Sequence, residues 1–135
     1  MSKRMEGRCL CGAVTVSAPA RREMSACHCG MCRRWGGGPL LAVHCGGEVT
    51  VGPMDKVSVF RSSEWAERAF CSQCGTHLYY QLLPKGEYVV PAGVFDGNGK
   101  FELHLQIYVD RKPGNYAFAN RTREMTEAEV LAMFG

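Results

Sequence analysis

Eight cysteines in 135 residues set the chemical question for this chain. Three of them, Cys27, Cys29 and Cys32, fall within the run from Ala26 to Trp35, ACHCGMCRRW, close enough for one ion to meet all three sulfurs. If Cys27 and Cys29 lie on a strand, the two-residue period puts both sulfurs on one face, and a turn at Gly30 can swing Cys32 round to join them. Such a CxCxxC claw suits zinc, which takes four ligands; structural sites fill all four places, and catalytic sites keep one for water or substrate. His28, His44, Cys45 or His77 could close the claw. Left open, its fourth place could take a thiol, and Arg33 and Arg34 follow at once to hold a carboxylate of that ligand.

The remaining cysteines pair across the chain as a CxC, Cys9 and Cys11, and a CxxC, Cys71 and Cys74, followed by Gly75. A glycine after the second sulfur tolerates a positive φ, so the backbone can wrap the ligand. Joining segments 60 residues apart costs roughly 4 kcal/mol of loop-closure entropy, against the roughly 10 to 16 kcal/mol that structural zinc contributes. Cys9, Cys11, Cys71 and Cys74 are therefore expected to form a closed structural zinc site, in preference to two disulfides or free thiols. Cys45 stands alone and reads as a small buried hydrophobe.

Composition sets the surroundings of these sites. A chain of 135 residues is long enough for one core of its own, and one domain spanning 1–135 is expected. The opening MSKRMEGR leads into no apolar run of signal-peptide length, and no stretch reaches the roughly 18 apolar residues of a membrane span, so a soluble, cytoplasmic protein is expected. In a reducing compartment, clustered cysteines bind metal more often than they pair as disulfides. The formal net charge is +3 with every thiol neutral; seven thiolates and two zinc ions would bring it to zero. The basic residues form only scattered doublets, and nothing here recommends a nucleic-acid partner or a membrane. The oligomeric state is not encoded in any pattern we find.

The elements that must position the sulfurs read as short strands. Gly7 to Ala18 alternates and reads as one strand with a bulge at Gly12. After a turn at Pro19, Glu23 to Cys29 returns as a second strand carrying the first two claw cysteines, and Gly36 to Pro39 forms a loop. Further strands are expected at Leu40–His44, Glu48–Val51, Val57–Arg61, Arg68–Phe70, His77–Leu82, Tyr88–Val94 and Phe101–Val109, a mainly β pattern. Only the end reads as helical: Thr126 and Glu129 make a capping box, and Val130, Leu131 and Phe134 keep helical spacing, giving a helix over Glu127–Phe134.

Taken together, GRCLCGAV at Gly7–Val14, ACHCGMCRR at Ala26–Arg34, the glycine loop at Gly36–Pro39, FRSSEWAERAFCSQCGTHLYY at Phe60–Tyr80 and the approach to VDRKPGNY resemble the glutathione-dependent formaldehyde-activating enzyme family, the CENP-V/GFA domain. The resemblance implies an Mss4-like β-tent of short antiparallel strands, stapled by a structural zinc on Cys9, Cys11, Cys71 and Cys74. It implies a second zinc with an exchangeable position on Cys27, Cys29 and Cys32. It also implies a carbon-sulfur lyase that adds glutathione to formaldehyde, giving S-hydroxymethylglutathione, or runs the reverse cleavage.

A zinc ion with an open place suits that chemistry, because it lowers the pKa of a bound thiol and can orient a small carbonyl. No general acid or base stands out among His28, His44, Glu64 and His77. Two other functions compete. A noncatalytic zinc module would expose a binding surface, and a relative of methionine sulfoxide reductase would need a redox-active cysteine outside the metal sites, where only Cys45 is left without a resolving partner.

Overall fold

Short alternating runs punctuated by glycine and proline build this chain into two sheets. The computed structural model describes residues 3–134; Met1, Ser2 and Gly135, the outermost positions of the expected 1–135 unit, and the Phe134 side chain lie outside the described residues. In chain order the strands are β1 (Arg4–Arg8), β2 (Thr15–Pro19), β3 (Glu23–Cys27), β4 (Leu40–Gly46), β5 (Thr50–Gly52), β6 (Val57–Arg61), β7 (Ala66–Cys71), β8 (His77–Leu82), β9 (Glu87–Pro91), β10 (Glu102–Ile107) and β11 (Arg123–Met125). Helix α1 covers Gly30–Gly36, and α2 covers Glu127–Phe134.

The smaller sheet has the order β1-β2-β5 and the larger β11-β10-β3-β4-β9-β8-β7-β6. One apolar cluster joins them: Val14, Val16 and Ala18 from around β2 are buried together with Val43, Ala69, Leu78, Val90 and Phe95. Each such Val or Leu contributes about 1.5 to 3 kcal/mol by leaving water. At Gly7, β1 lies so close to the segment after β9 that a Cβ would run into the Val94 carbonyl oxygen, which only glycine can accommodate.

The mainly β architecture and the closing helix agree with the sequence. In the capping box, Glu129 N–H donates to Thr126 Oγ1 at 3.3 Å and Thr126 N–H donates to Glu129 Oε1 at 2.9 Å. Several boundaries differ. Gly7–Ala18 is not one bulged strand but the hairpin β1–β2, whose turn carries Cys9 and Cys11; Gly12, at φ +82°, donates its N–H to the Cys9 carbonyl at 3.0 Å and closes that turn. Tyr88–Val94 leaves the strand at Pro91 and continues as a 3₁₀ turn over Ala92–Val94. Pairing is not antiparallel throughout, because β10 lies parallel to both β3 and β11, with Cys27 opposite Ile107.

The largest correction falls on the claw. Strand β3 ends at Cys27 instead of running to Cys29, and a helix follows where a turn and a glycine loop were expected. Cys29 is the N-cap of α1, its sulfur accepting the Cys32 N–H at 3.3 Å, the part a serine hydroxyl commonly plays. Gly37, at φ +89°, ends the helix in the left-handed conformation, its N–H on the Arg33 carbonyl at 2.8 Å.

Candidate functional site

Two turns at the edge of the core bring four sulfurs together. Cys9 and Cys11 come from the β1–β2 turn, and Cys71 and Cys74 from the β7–β8 turn, where Gly75, at φ +78°, donates to the Cys71 carbonyl at 2.8 Å. Their ligand atoms all lie within 4.8 Å of one another, with Cys9 to Cys11 at 3.6 Å and Cys11 to Cys71 at 3.8 Å. Four sulfurs bound tetrahedrally at about 2.3 Å from one ion would stand about 3.8 Å apart, the spacing already found for Cys9 to Cys11 and Cys11 to Cys71. Local donors favour the thiolate at Cys9 and Cys74, whereas at Cys11, against the lowering Ala13 amide, burial and the neighbouring sulfurs push the thiol up to about 11. Val14 N–H points at Cys9 Sγ at 3.3 Å, and the Thr76 hydroxyl, 3.1 Å from Cys74 Sγ, together with the Thr76 amide brings the Cys74 thiol down to about 5.

The second cluster is built on one junction. Cys27 ends β3, Cys29 caps α1 and Cys32 sits in the first turn, so the strand-to-helix change turns all three sulfurs inward, again within 4.8 Å of one another. Among themselves they divide their protons unequally. The neighbouring sulfurs of Cys27 and Cys32 lower the pKa of Cys29, whereas those of Cys29 and Cys32, with burial, push Cys27 far up. Among the described residues no fourth His, Cys, Asp or Glu joins this group. Each cluster could hold a metal ion.

Residues 4–111 match the family described as Glutathione-dependent formaldehyde-activating enzyme. The chain belongs to this family. This GFA chain is also 38% identical over 128 residues to an uncharacterized lyase of Schizosaccharomyces pombe, across 93% of each protein. The crystal structure of a Rhodobacter sphaeroides protein superposes with a TM-score of 0.59 at 25% identity, covering 69% of this chain and 89% of that one.

Around the GFA claw the residues singled out in the sequence divide sharply. His28 is fully buried and faces away from the sulfurs' chemistry: Nδ1 meets the Tyr116 hydroxyl at 2.7 Å and Nε2 meets Gln106 Oε1 at 2.8 Å, so both ring nitrogens are already engaged. His44, on β4, faces Glu87 at 3.7 Å. His77 stacks on Trp35 with centroids 3.8 Å apart, and burial, then the Arg68 charge, lowers its pKa. Cys45 is fully buried, donates to the Val43 carbonyl at 3.4 Å, and is pushed up to about 11 by burial. It is a core thiol. Glu64 enters only through its carbonyl, which accepts from Arg61.

Arg33 and Arg34 line a cleft of about 590 Å³ with Gly30, Gly37, Pro39, Asn115 and Tyr116. None of the three claw sulfurs lines it; the two sites meet through α1. Arg33 is partly committed, since its Nε donates to the His28 carbonyl at 2.9 Å, which leaves its terminal nitrogens and Arg34 for a ligand.

Sequence reasoning missed two residues beside the claw. Arg68, on β7, is buried with both terminal nitrogens on Cys32 Sγ, at 3.8 and 3.7 Å. Tyr108, just past β10, is a non-glycine residue at φ +57°, a costly conformation that tends to mark functional ground. Burial and the sulfurs of Cys27 and Cys29 raise the pKa of its hydroxyl. The Tyr of an IYVD run gives no sequence signal of this. No helix among the described residues is long and apolar enough to cross a membrane.

Proposed function

We propose that this chain is a cytoplasmic, single-domain carbon-sulfur lyase acting on the adduct of a small thiol, glutathione in the first instance, with formaldehyde. We assign zinc to both clusters: a closed structural ion on Cys9, Cys11, Cys71 and Cys74, and a second on Cys27, Cys29 and Cys32. One observation carries the reading: three converging claw sulfurs with no fourth protein ligand beside them among the described residues. Zinc bound there supplies a charge that keeps an incoming thiol ionised at neutral pH.

The chain's own residues do the rest. Arg34 and the free end of Arg33 hold the carboxylates of a peptide thiol in the cleft, and α1 directs its sulfur toward the claw. In the addition, the sulfur bonds to the carbonyl carbon, the carbonyl π bond breaks, and the thiol proton ends on the new hydroxyl. Cleavage reverses each change. The Tyr108 hydroxyl, whose pKa is raised by burial and by the Cys27 and Cys29 sulfurs, is the proton donor to that oxygen in this reading.

The test is exchange between free and adduct formaldehyde, followed by NMR on the zinc-loaded protein with glutathione. Acceleration that disappears in Cys29→Ser supports the lyase. A zinc-loaded claw that binds no thiol would instead leave a noncatalytic zinc module.

A further inference from the structure

Arg68 is an arginine where none should be comfortable. It is 4% exposed, and among the described residues no carboxylate lies within ion-pair distance of it. Its Nε is buried without any hydrogen-bond partner. Burying a cation costs several kcal/mol unless something of opposite charge sits against it. Aromatic faces help: the guanidinium carbon lies 5.0 Å from the Trp35 ring and 4.8 Å from the Tyr80 ring, the latter its partner across β7–β8. Those faces attract a cation but bring no countercharge. What the guanidinium does reach is the claw: both terminal nitrogens fork onto one sulfur, Cys32 Sγ.

Counting charge shows what this placement does. Three thiolates around a divalent ion carry one net negative charge, which Arg68 cancels. A fourth anionic ligand would leave two negative charges in a half-buried site without Arg68, and one with it. We propose that Arg68 is a positioning residue of the claw: it fixes the Cys32 sulfur and makes the fourth place of a bound divalent ion more accepting of an anion, with little effect on a neutral ligand. This rests on the metal reading of the claw, and it goes beyond it by assigning the site's charge preference to one residue outside the ligand set.

The probes are cobalt(II), thiocyanate as a plain anion and imidazole as a neutral ligand. Protein loaded with cobalt at both clusters is titrated with each ligand while its absorption bands are followed, in wild type, Arg68→Gln and Arg68→Lys. Losing a fork of charge-assisted contacts in Arg68→Gln should weaken thiocyanate about ten- to hundredfold, with imidazole changed less than about threefold. Arg68→Lys, which keeps the charge but not the fork, should recover most of the anion affinity while the thiolate-to-cobalt band shifts. If the glutamine variant fails to fold, Arg68→Met fills the same space without charge and takes its place. Parallel weakening of both ligands, or no change in either, would overturn the proposal, as would a wild-type claw that takes up no cobalt. A claw that binds thiocyanate in the predicted order but no thiol would sink the lyase and leave this inference standing.

Discussion

Replacing Cys74 by serine should cost this protein far more stability than replacing Cys29, and the difference can be worked from the chain's connectivity. A metal on Cys9, Cys11, Cys71 and Cys74 ties together turns 60 residues apart, whereas a metal on the claw ties residues within one strand-to-helix junction. By the chain-entropy argument used for covalent cross-links, a 60-residue closure constrains the unfolded chain by about 4 kcal/mol, and a closure of about five residues by about 2 kcal/mol. With an unfolding entropy near 2.1 cal/mol/K per residue, these figures correspond to losses of about 15 °C and about 7 °C in Tm for a chain of this size. Thermal melts of the zinc-loaded variants by far-UV circular dichroism, each with its zinc content measured, read the contrast directly. A Cys29→Ser protein that melts as early as Cys74→Ser would refute the division into staple and claw.

Other outcomes follow from the same geometry. Titration with a mild chelator should release zinc in two steps, the claw ion first, while the fold persists until the second step; simultaneous loss of both with unfolding would count against it. Arg34→Ala should weaken glutathione by roughly 1 to 3 kcal/mol in calorimetry while leaving a thiol without carboxylates unaffected. His28→Phe strands the Tyr116 hydroxyl and Gln106 Oε1 and should destabilise by roughly 2 kcal/mol in denaturant, with zinc stoichiometry unchanged because its ring holds no metal. Gly7→Ala places a methyl group into the Val94 carbonyl and should cost more than about 2 kcal/mol by the same measurement.

What the sequence made legible was chemistry carried by local spacing. The CxC, CxxC and CxCxxC patterns name their own clusters, and the structure brings each set of sulfurs within 4.8 Å. Helix α1 escaped because its seven residues, GMCRRWG, include two glycines and have weak helix propensity. Its boundaries depend on a sulfur cap and a left-handed Gly37, which are visible only once the turn is formed. Arg68 escaped for a different reason. In AERAFC it reads as a solvated strand charge, and what buries it, Trp35 and Cys32 of α1 and Tyr80 of β8, comes from two other parts of the chain. The parallel alignment of β10 with β3 joins segments with no shared local signal.

That parallel alignment also fixes an order in time. Strand β3, which ends in the first claw cysteine, is flanked on one side by β4 and on the other by β10, whose Glu102 pairs with Glu23. Five of the seven clustered thiols are synthesised before either β7 or β10 exists. At 5 to 20 residues per second, Cys9 and Cys11 wait roughly 3 to 12 s for Cys71, and β3 waits longer still for the strand that covers its outer edge. At first Cys32 lacks the Arg68 fork, and until β10 is made β3 lacks one of its two flanking strands. The claw's ligands are made well before the residues that seat them, so cysteines in the first quarter of the chain take up their final surroundings only after its last third has begun to be added.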